Sequence, residues 1–322
     1  MINIAKEVQD AKTIAISGHV RPDGDCVGSC LGIALYLEKR MPDARVDVFL
    51  EDFSDALKRN MAGEDQIQYE IQTDVEQYDA FICMDCDCSR LGGALDIFKK
   101  AKKTINIDHH ETNSGTGDVC YIVPKASSAC ELAYTVMDEE WIDEAIARDL
   151  YIGMVTDTGV FRYSNTGRKT MEIAGRLMEY GFDYTSIVRE VFYEKTYIQQ
   201  QILGRALLES FCLLDGKCIV SRIDRKSMKF YQATSKDMDG IASEMMNTQG
   251  VSCAIFMYEI QQGTFKVSLR SNGDVDVAKI ASLNGGGGHG RAAGCTISAS
   301  FYDIVNSMMP LIEEQLEAGI HV

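Results

Sequence analysis

Histidine and aspartate recur in this chain in short sequences that suit hard divalent cations: His19-Val20-Arg21-Pro22-Asp23-Gly24-Asp25, Met84-Asp85, Asp108-His109-His110 and Asp157. Carboxylate oxygens with a minority of imidazole nitrogens match Mn2+, Mg2+ or Co2+ better than metals that prefer thiolate. The candidate ligands are His19, Asp23, Asp25, Asp85, His109 and Asp157. Their carboxylates would balance two divalent cations, leaving a site that does not repel phosphate. Two such ions, roughly 3.5–4 Å apart, clamp the attacking and leaving oxygens of a phosphate ester and acidify a bridging water. His110 has the chemistry to hold a phosphate oxygen or protonate a leaving alkoxide, and Asp108 to orient its histidine neighbours. A fifth stretch, Gly285-Gly286-Gly287-Gly288-His289, reads as a grip on substrate, because glycines let backbone N–H groups approach an anion closely. The chemistry implied is metal-assisted hydrolysis of a phosphate ester.

These residues need elements to bring them together. Strands and helices alternate through the first half, the pattern of βαβ units and a parallel sheet. Strands are expected at Thr13 to Ser17, Arg45 to Leu50, Ala80 to Met84, Thr104 to Ile107 and Val119 to Val123, and a helix from Asp25 to Arg40. The first three ligand stretches each follow a predicted strand, the place where open α/β sheets bind ligands. Asp157 is placed in a turn after a helix. Ser128 with Glu131 resembles a capping box. A polar helix is expected from Tyr184 to Phe211, then hairpins around Asp215-Gly216 and Gln262-Gly263 with helices at Asp237 to Asn247, Val275 to Leu283 and Phe301 to Ala318. The division expected is residues 1–188, a connecting helix at 189–210, and a smaller α/β domain at 211–322.

Composition narrows the partners. With 32 basic against 48 acidic side chains and a formal charge of -16, the chain is poorly suited to neutralising a long run of phosphates, so a polyanionic substrate is short. Eleven cysteines in a chain that opens without a leader signal point to a reducing, cytoplasmic setting rather than a disulfide framework. Cys83, Cys86 and Cys88 cluster, but no second half-site completes a zinc finger. No run of about 18 apolar residues suggests a membrane span. A homodimer is the base-rate expectation for assembly.

In these motifs and their order the chain resembles the DHH phosphoesterase superfamily, whose namesake triplet is Asp108-His109-His110 here. Its C-terminal half, with the glycine run leading into Ala292-Ala293-Gly294, is similar to the associated DHHA1 domain. The resemblance spans nearly the whole chain and is closest to the stand-alone nanoRNase/pAp phosphatase group. It implies an α/β fold: a parallel-sheet DHH domain joined by a connecting helix to a smaller α/β DHHA1 domain, with the active site in the inter-domain cleft. One ion would be held by His19, Asp23 and Asp85, the other by Asp25, Asp85, His109 and Asp157, with Asp85 bridging. His110 would contact the scissile phosphate. Gly286, Gly287, Gly288 and His289, with Arg270 and Arg291, would hold the rest of the substrate.

The function implied is hydrolysis of short oligoribonucleotides (nanoRNA) from an end and of 3′-phosphoadenosine 5′-phosphate (pAp) to AMP, with Mn2+ foremost among the metals. Hydrolysis of cyclic di-AMP or pApA is the closest alternative. An inorganic pyrophosphatase, a RecJ-like exonuclease and a non-catalytic nucleotide sensor rank lower. Each residue alone has a plainer reading, such as Asp23-Gly24 as a simple turn or the glycine run as a flexible loop. Their joint order favours the site.

Overall fold

The computed structural model describes residues 2–319, which divide into two compact units, Met1–Glu194 and Lys195–Val322. In the first, six strands form one sheet: β1 Thr13–Ser17, β2 Arg45–Phe49, β3 Ile67–Gln68, β4 Ala80–Met84, β5 Lys103–Asp108 and β6 Val119–Ile122. All its pairings are parallel, in the order β3-β2-β1-β4-β5-β6. The chain runs outward from β1 to β3 and then returns to the other side of β1, so the order reverses between β1 and β4. At such a switch point the loops beyond the carboxyl ends diverge and leave a crevice.

The strands are short apolar runs because both faces are covered. Ile14 and Ile16 of β1 face a core shared with the helices Gly24–Arg40, Ala129–Val136 and Glu144–Asp157, whereas Ala15 faces Phe81, Cys83 and Phe98 on the other side. The helices Gly24–Arg40 and Glu144–Asp157 cross almost backbone to backbone. A Cβ at Gly28 would lie 2.4 Å from the Asp149 carbonyl oxygen, and one at Gly32 would lie 2.6 Å from Leu150 Cδ2.

In the second unit the sheet is mixed, in the order β11-β12-β10-β9-β8-β7. Its strands are β7 Phe211–Leu213, β8 Cys218–Ile223, β9 Cys253–Gln261, β10 Thr264–Ser271, β11 Gly287–His289 and β12 Ala292–Ser298. Only β8 and β9 pair in parallel, across a crossover that contains Arg225–Tyr231 and Ile241–Met245. Both expected hairpins form, the second turning on Gly263 at φ 71°. One face packs on Val277–Ser282 and Phe301–Ala318, the other on Tyr197–Leu208 and Ile241–Met245.

Five local expectations change. The helix expected at Asp237 to Asn247 is instead a short 3-10 turn, Ser235–Met238, and a separate helix, Ile241–Met245, parted at Gly240 with φ 81°. Asp157 is the last residue of a helix rather than part of a turn. Ser128 caps its helix by accepting from Glu131 N, but the Glu131 carboxylate bonds Ser127 and Thr170 instead of returning to Ser128. The continuous helix from Tyr184 to Phe211 is interrupted: Tyr184–Val188 widens into a π-turn at Arg189–Tyr193, and a new helix, Tyr197–Leu208, begins after Thr196. Thr196 and Gln199 cap that helix reciprocally, which fixes a fresh N-terminus where continuity was expected. Finally, Gly287–His289 is an edge strand rather than a loop.

Candidate metal centre

Three strand ends deliver the first donors. The turn after β1 carries His19, whose Nδ1 lies 2.9 Å from the Val20 carbonyl oxygen. With Nδ1–H donated there, the Nε2 lone pair faces Asp23 Oδ1 at 3.7 Å and Asp85 Oδ2 at 3.4 Å. This loop is tied down by Val20 N donating to the Arg90 carbonyl and Arg21 N donating to Glu51 Oε2. Asp23 also caps the helix Gly24–Arg40, its Oδ1 accepting from Asp25 N and Cys26 N. The turn reading of Asp23 is therefore half right: one carboxylate both starts the helix and faces the cluster.

Asp85 follows β4 in a left-handed backbone conformation, φ 58°, and is almost fully buried. Asp85 Oδ1 lies 3.4 Å from His109 Nε2 and 3.7 Å from His110 Nδ1, yet accepts no hydrogen bond. His109 Nε2 is also 3.7 Å from Asp25 Oδ2 and 3.8 Å from Asp157 Oδ2. Separations of 3.4–3.8 Å exceed ordinary hydrogen-bond lengths. They are close to the roughly 3.0–3.4 Å between neighbouring ligand atoms that each lie about 2.1 Å from one ion. A buried carboxylate oxygen that accepts no hydrogen bond, amid such spacings, fits a cation ligand.

Asp25 is fixed from behind. Its Oδ2 accepts from Ala129 N at 2.6 Å and its Oδ1 from Cys130 N at 2.8 Å, so the start of the helix Ala129–Val136 holds the carboxylate in place. Gly153 permits this approach: a Cβ there would meet Cys130 Sγ at 2.2 Å and Asp25 Oδ1 at 3.1 Å. Asp157 Oδ2 is 3.4 Å from Asn165 Nδ2, which also bonds the Asp157 carbonyl.

Asp108 and Cys26 lie within reach of the cluster but are spoken for. Asp108 Oδ1 accepts from His109 N, His110 N and His110 Nδ1, the last at 2.7 Å, and Oδ2 accepts from Asn113 Nδ2 at 2.6 Å. Burial pushes the Cys26 thiol up, and it faces the His19 carbonyl.

Burial and mutual repulsion raise Asp25 and Asp157 in this cluster, and the carboxylates raise its imidazoles. Burial, then Asp85 and Asp157, holds Asp25 well above the usual carboxylate range, and burial raises Asp157 to about 6. Burial opposes charge on His109, but Asp85, Asp25 and Asp157 outweigh it and push the ring up to about 10. His19 is raised in the same way against its own burial by Asp23 and Asp85. The Asp108 carboxylate raises His110, whose ring is partly open to solvent. Where ligand sets compete with protons, metal affinity rises with pH.

The second unit arranges the other predicted residues on its sheet. Arg270 on β10 and His289 on β11 both pair with Ala292 of β12, so the three lie in one register row on one face. Arg270 is half-buried, while His289 and Arg291 are exposed. Gly286 and Gly288 are required by close approach: a Cβ would meet the Gly294 carbonyl oxygen at 2.2 Å and the Ala292 carbonyl oxygen at 2.4 Å. Gly287 pairs with Gly294. The backbone of this run is thus partly engaged in a β-ladder rather than wholly free to cradle an anion, although β11 is an edge whose outer side is unpaired within the sheet.

Sequence reasoning missed Asn113, Asn106, Glu51 and Asn165. Asn113 donates to both Asp108 and Asn106, and Asn106 donates to the Cys86 carbonyl just beyond Asp85. Spacing gives no signal for these partners, because an Asn or Glu in a loop has many ordinary uses.

Residues 13–154 match the DHH family, N-terminal domain, and residues 215–318 match the DHHA1 domain. The chain belongs to this family of phosphoesterases. Among its relatives, the bifunctional oligoribonuclease and PAP phosphatase NrnA of Bacillus subtilis is 25% identical over 291 residues, covering 88% of this chain and 89% of that protein. The protein of the same name from Thermus thermophilus is 28% identical over 300 residues, 88% of this chain and 84% of its own. The cyclic-di-AMP phosphodiesterase PdeA of Listeria monocytogenes is 25% identical over 301 residues, 88% of this chain but 44% of that longer protein. Among solved structures, an exopolyphosphatase-related protein from Bacteroides fragilis superposes with a TM-score of 0.87 at 25% identity, covering 98% of this chain and 96% of its own.

Proposed function

We propose that the first unit holds two divalent cations and hydrolyses short oligoribonucleotides from an end, and pAp to AMP. The observation that carries the metal assignment is the convergence on Asp85: His19 and Asp23 gather at its Oδ2 side, and His109, with Asp25 and Asp157 around it, at its Oδ1 side. His19, Asp23 and Asp85 would hold one ion, and Asp25, Asp85, His109 and Asp157 the other. Oxygen-rich ligation with two imidazoles favours Mn2+, with Mg2+ and Co2+ as substitutes. When bound, such ions polarise a phosphoryl group and lower the pKa of water.

His110, held at Nδ1 by Asp108 and raised by it, carries a proton to the leaving oxygen. Arg270 forks onto the phosphate or sugar of the remaining nucleotide, with His289 two strands away in the same row. The relatives named oligoribonuclease and PAP phosphatase support this choice of substrate. Likeness to the Listeria phosphodiesterase supports a second reading, cleavage of cyclic di-AMP or pApA.

The test is incubation of the purified, Mn2+-loaded protein with diadenylate, pAp, pApA and cyclic di-AMP, with products resolved by chromatography. AMP from diadenylate and pAp is expected. Turnover of cyclic di-AMP or pApA in preference to both moves the assignment to the second reading, and no product from any of the four refutes the phosphoesterase assignment.

A further inference from the structure

A second concavity, of about 220 Å3, opens beside the cluster at the carboxyl ends of β1 and β2, and His19 lines both. It is smaller than the ~300–1,000 Å3 typical of sites for drug-sized molecules, so it takes one ring system rather than a whole ligand. Gly18, Gly93 and Ala94 leave part of its lining without large side chains, beside Leu50 and Leu91. At Gly93 a Cβ would lie 2.9 Å from Ile71 Cδ1, so the missing side chain is what lets Ile71 come this close to the backbone.

The walls are unusually apolar for an exposed position. Tyr69 and Ile71 are 38% and 42% exposed, a pair of large side chains left open to solvent at the same opening. Tyr69 is held rigid: Lys58 Nζ sits 4.8 Å from its ring centroid, and Phe53 packs against it at 5.9 Å. Its hydroxyl donates to Glu64. Glu51 supplies the polar rim. Glu51 Oε2 accepts from Arg21 N at 2.9 Å, which orients the carboxylate and leaves Oε1 able to accept from a ligand. An aromatic and an aliphatic side chain open to solvent beside small lining residues, with one oriented acceptor, are suited to a flat heterocycle that carries an amino group.

We infer that this slot binds the nucleobase next to the scissile phosphate, with Tyr69 and Ile71 against the ring and Glu51 Oε1 accepting from the exocyclic amine of adenine, guanine or cytosine. The inference rests on the proposed phosphoesterase reading for its substrate class. It assigns base preference to the first unit and makes uracil, which lacks the amine, the disfavoured base. Glu51 touches the base and not the reacting atoms, so it acts in specificity rather than in catalysis.

The test compares the Mn2+-loaded full chain with its Ile71→Ala and Glu51→Gln variants on ApA, CpC and UpU and on an abasic ribose dimer with the same phosphodiester. Glutamine keeps an oxygen for Arg21 N, so the loop that carries His19 is preserved. In Ile71→Ala the KM for ApA and CpC is expected to rise about tenfold, the factor that ~1.4 kcal/mol of binding makes. Glu51→Gln is expected to raise KM for ApA and CpC but not for UpU, and Ile71→Ala to leave kcat and turnover of the abasic dimer unchanged. Unchanged KM for ApA and CpC in both variants overturns the slot. If the wild type cleaves none of these compounds, the phosphoesterase reading fails instead. Quenching of a 2-aminopurine dinucleotide by the chain then still reads the slot, which is upheld if both substitutions weaken the quench and refuted if neither does.

Discussion

Asp108 shows how a residue can name a motif while serving as a support for the candidate ligands beside it. Its Oδ1 accepts from His109 N, His110 N and His110 Nδ1 and its Oδ2 from Asn113, so its contribution is to hold the His109-His110 backbone and the His110 ring. Removing a supporting partner of this kind typically costs 10–100-fold in affinity or activity. Asn113→Ala should therefore lower kcat by about tenfold while the protein stays folded, with a partial loss of bound Mn2+; unchanged kcat would remove Asn113 from the site. The raised histidines give a sign for pH. In the metal-free chain His109 holds its proton up to about 10 and Asp157 up to about 6, so an ion entering at pH 7 must expel protons. Titration calorimetry in buffers of different ionisation enthalpy should show at least one proton released per chain on Mn2+ binding. Activity should fall as the pH drops from 7 to 5; a rate flat down to about pH 4, below the reference pKa of histidine at about 6.5, contradicts the assignment. At this scale the sequence was informative about the donors and silent about their supports. The six candidate ligands converge, whereas Asn113, Asn165 and Glu51 are ordinary polar residues until the fold brings them alongside.

Elements position these donors through close contacts that no local pattern announces. The helices Gly24–Arg40 and Glu144–Asp157 carry Asp25 and Asp157, and glycine at 28, 32 and 153 lets their backbones and neighbours meet. Gly153→Ala would place a methyl group 2.2 Å from Cys130 Sγ and 3.0 Å from Asp25 Cα. Overpacking of this kind costs about 1–3 kcal/mol. The expected result is a Tm lower by several degrees together with weaker Mn2+ binding, measured by differential scanning calorimetry and metal analysis; a normal Tm with normal metal content would show that the crossing relaxes freely. Five strands of the first unit were legible because buried parallel strands are short apolar runs bounded by turn residues, as in Thr13–Ser17 and Ala80–Met84, whereas the two-residue edge strand Ile67–Gln68 is too short to leave a pattern. The order of the strands was not, since pairing of β1 with β4 is a non-local choice. The break before Tyr197 did leave a signal, Thr196 three residues before Gln199, which a reading for apolar periodicity passes over. Gly287–His289 left none: glycine has little intrinsic strand preference, and β12 imposes the pairing.

For the whole molecule, charge and cation site pull in opposite directions. A net charge of -16 repels a long polyanion, while the two divalent ions proposed for the first unit would attract a short one locally. A substrate of two or three phosphates displaces few counterions, so log(kcat/KM) against log[salt] should have a slope of only about -1 to -2, from roughly -0.7 per phosphate on single strands. A slope several times steeper would mean that the chain grips many phosphates. No helix among the described residues is long and apolar enough to cross a membrane. The family and the two-unit α/β plan were accessible from the ordered motifs. The division at Glu194, where a helical stretch breaks, was less so. The central claim is that Asp85 stands between two cations. It is tested most directly by stripping the protein with chelator and titrating Mn2+ into the wild type and Asp85→Asn. Two ions per wild-type chain and loss of both high-affinity sites in the variant are the results the account predicts; a single ion per chain, or two that survive the substitution with unchanged affinity, would contradict it.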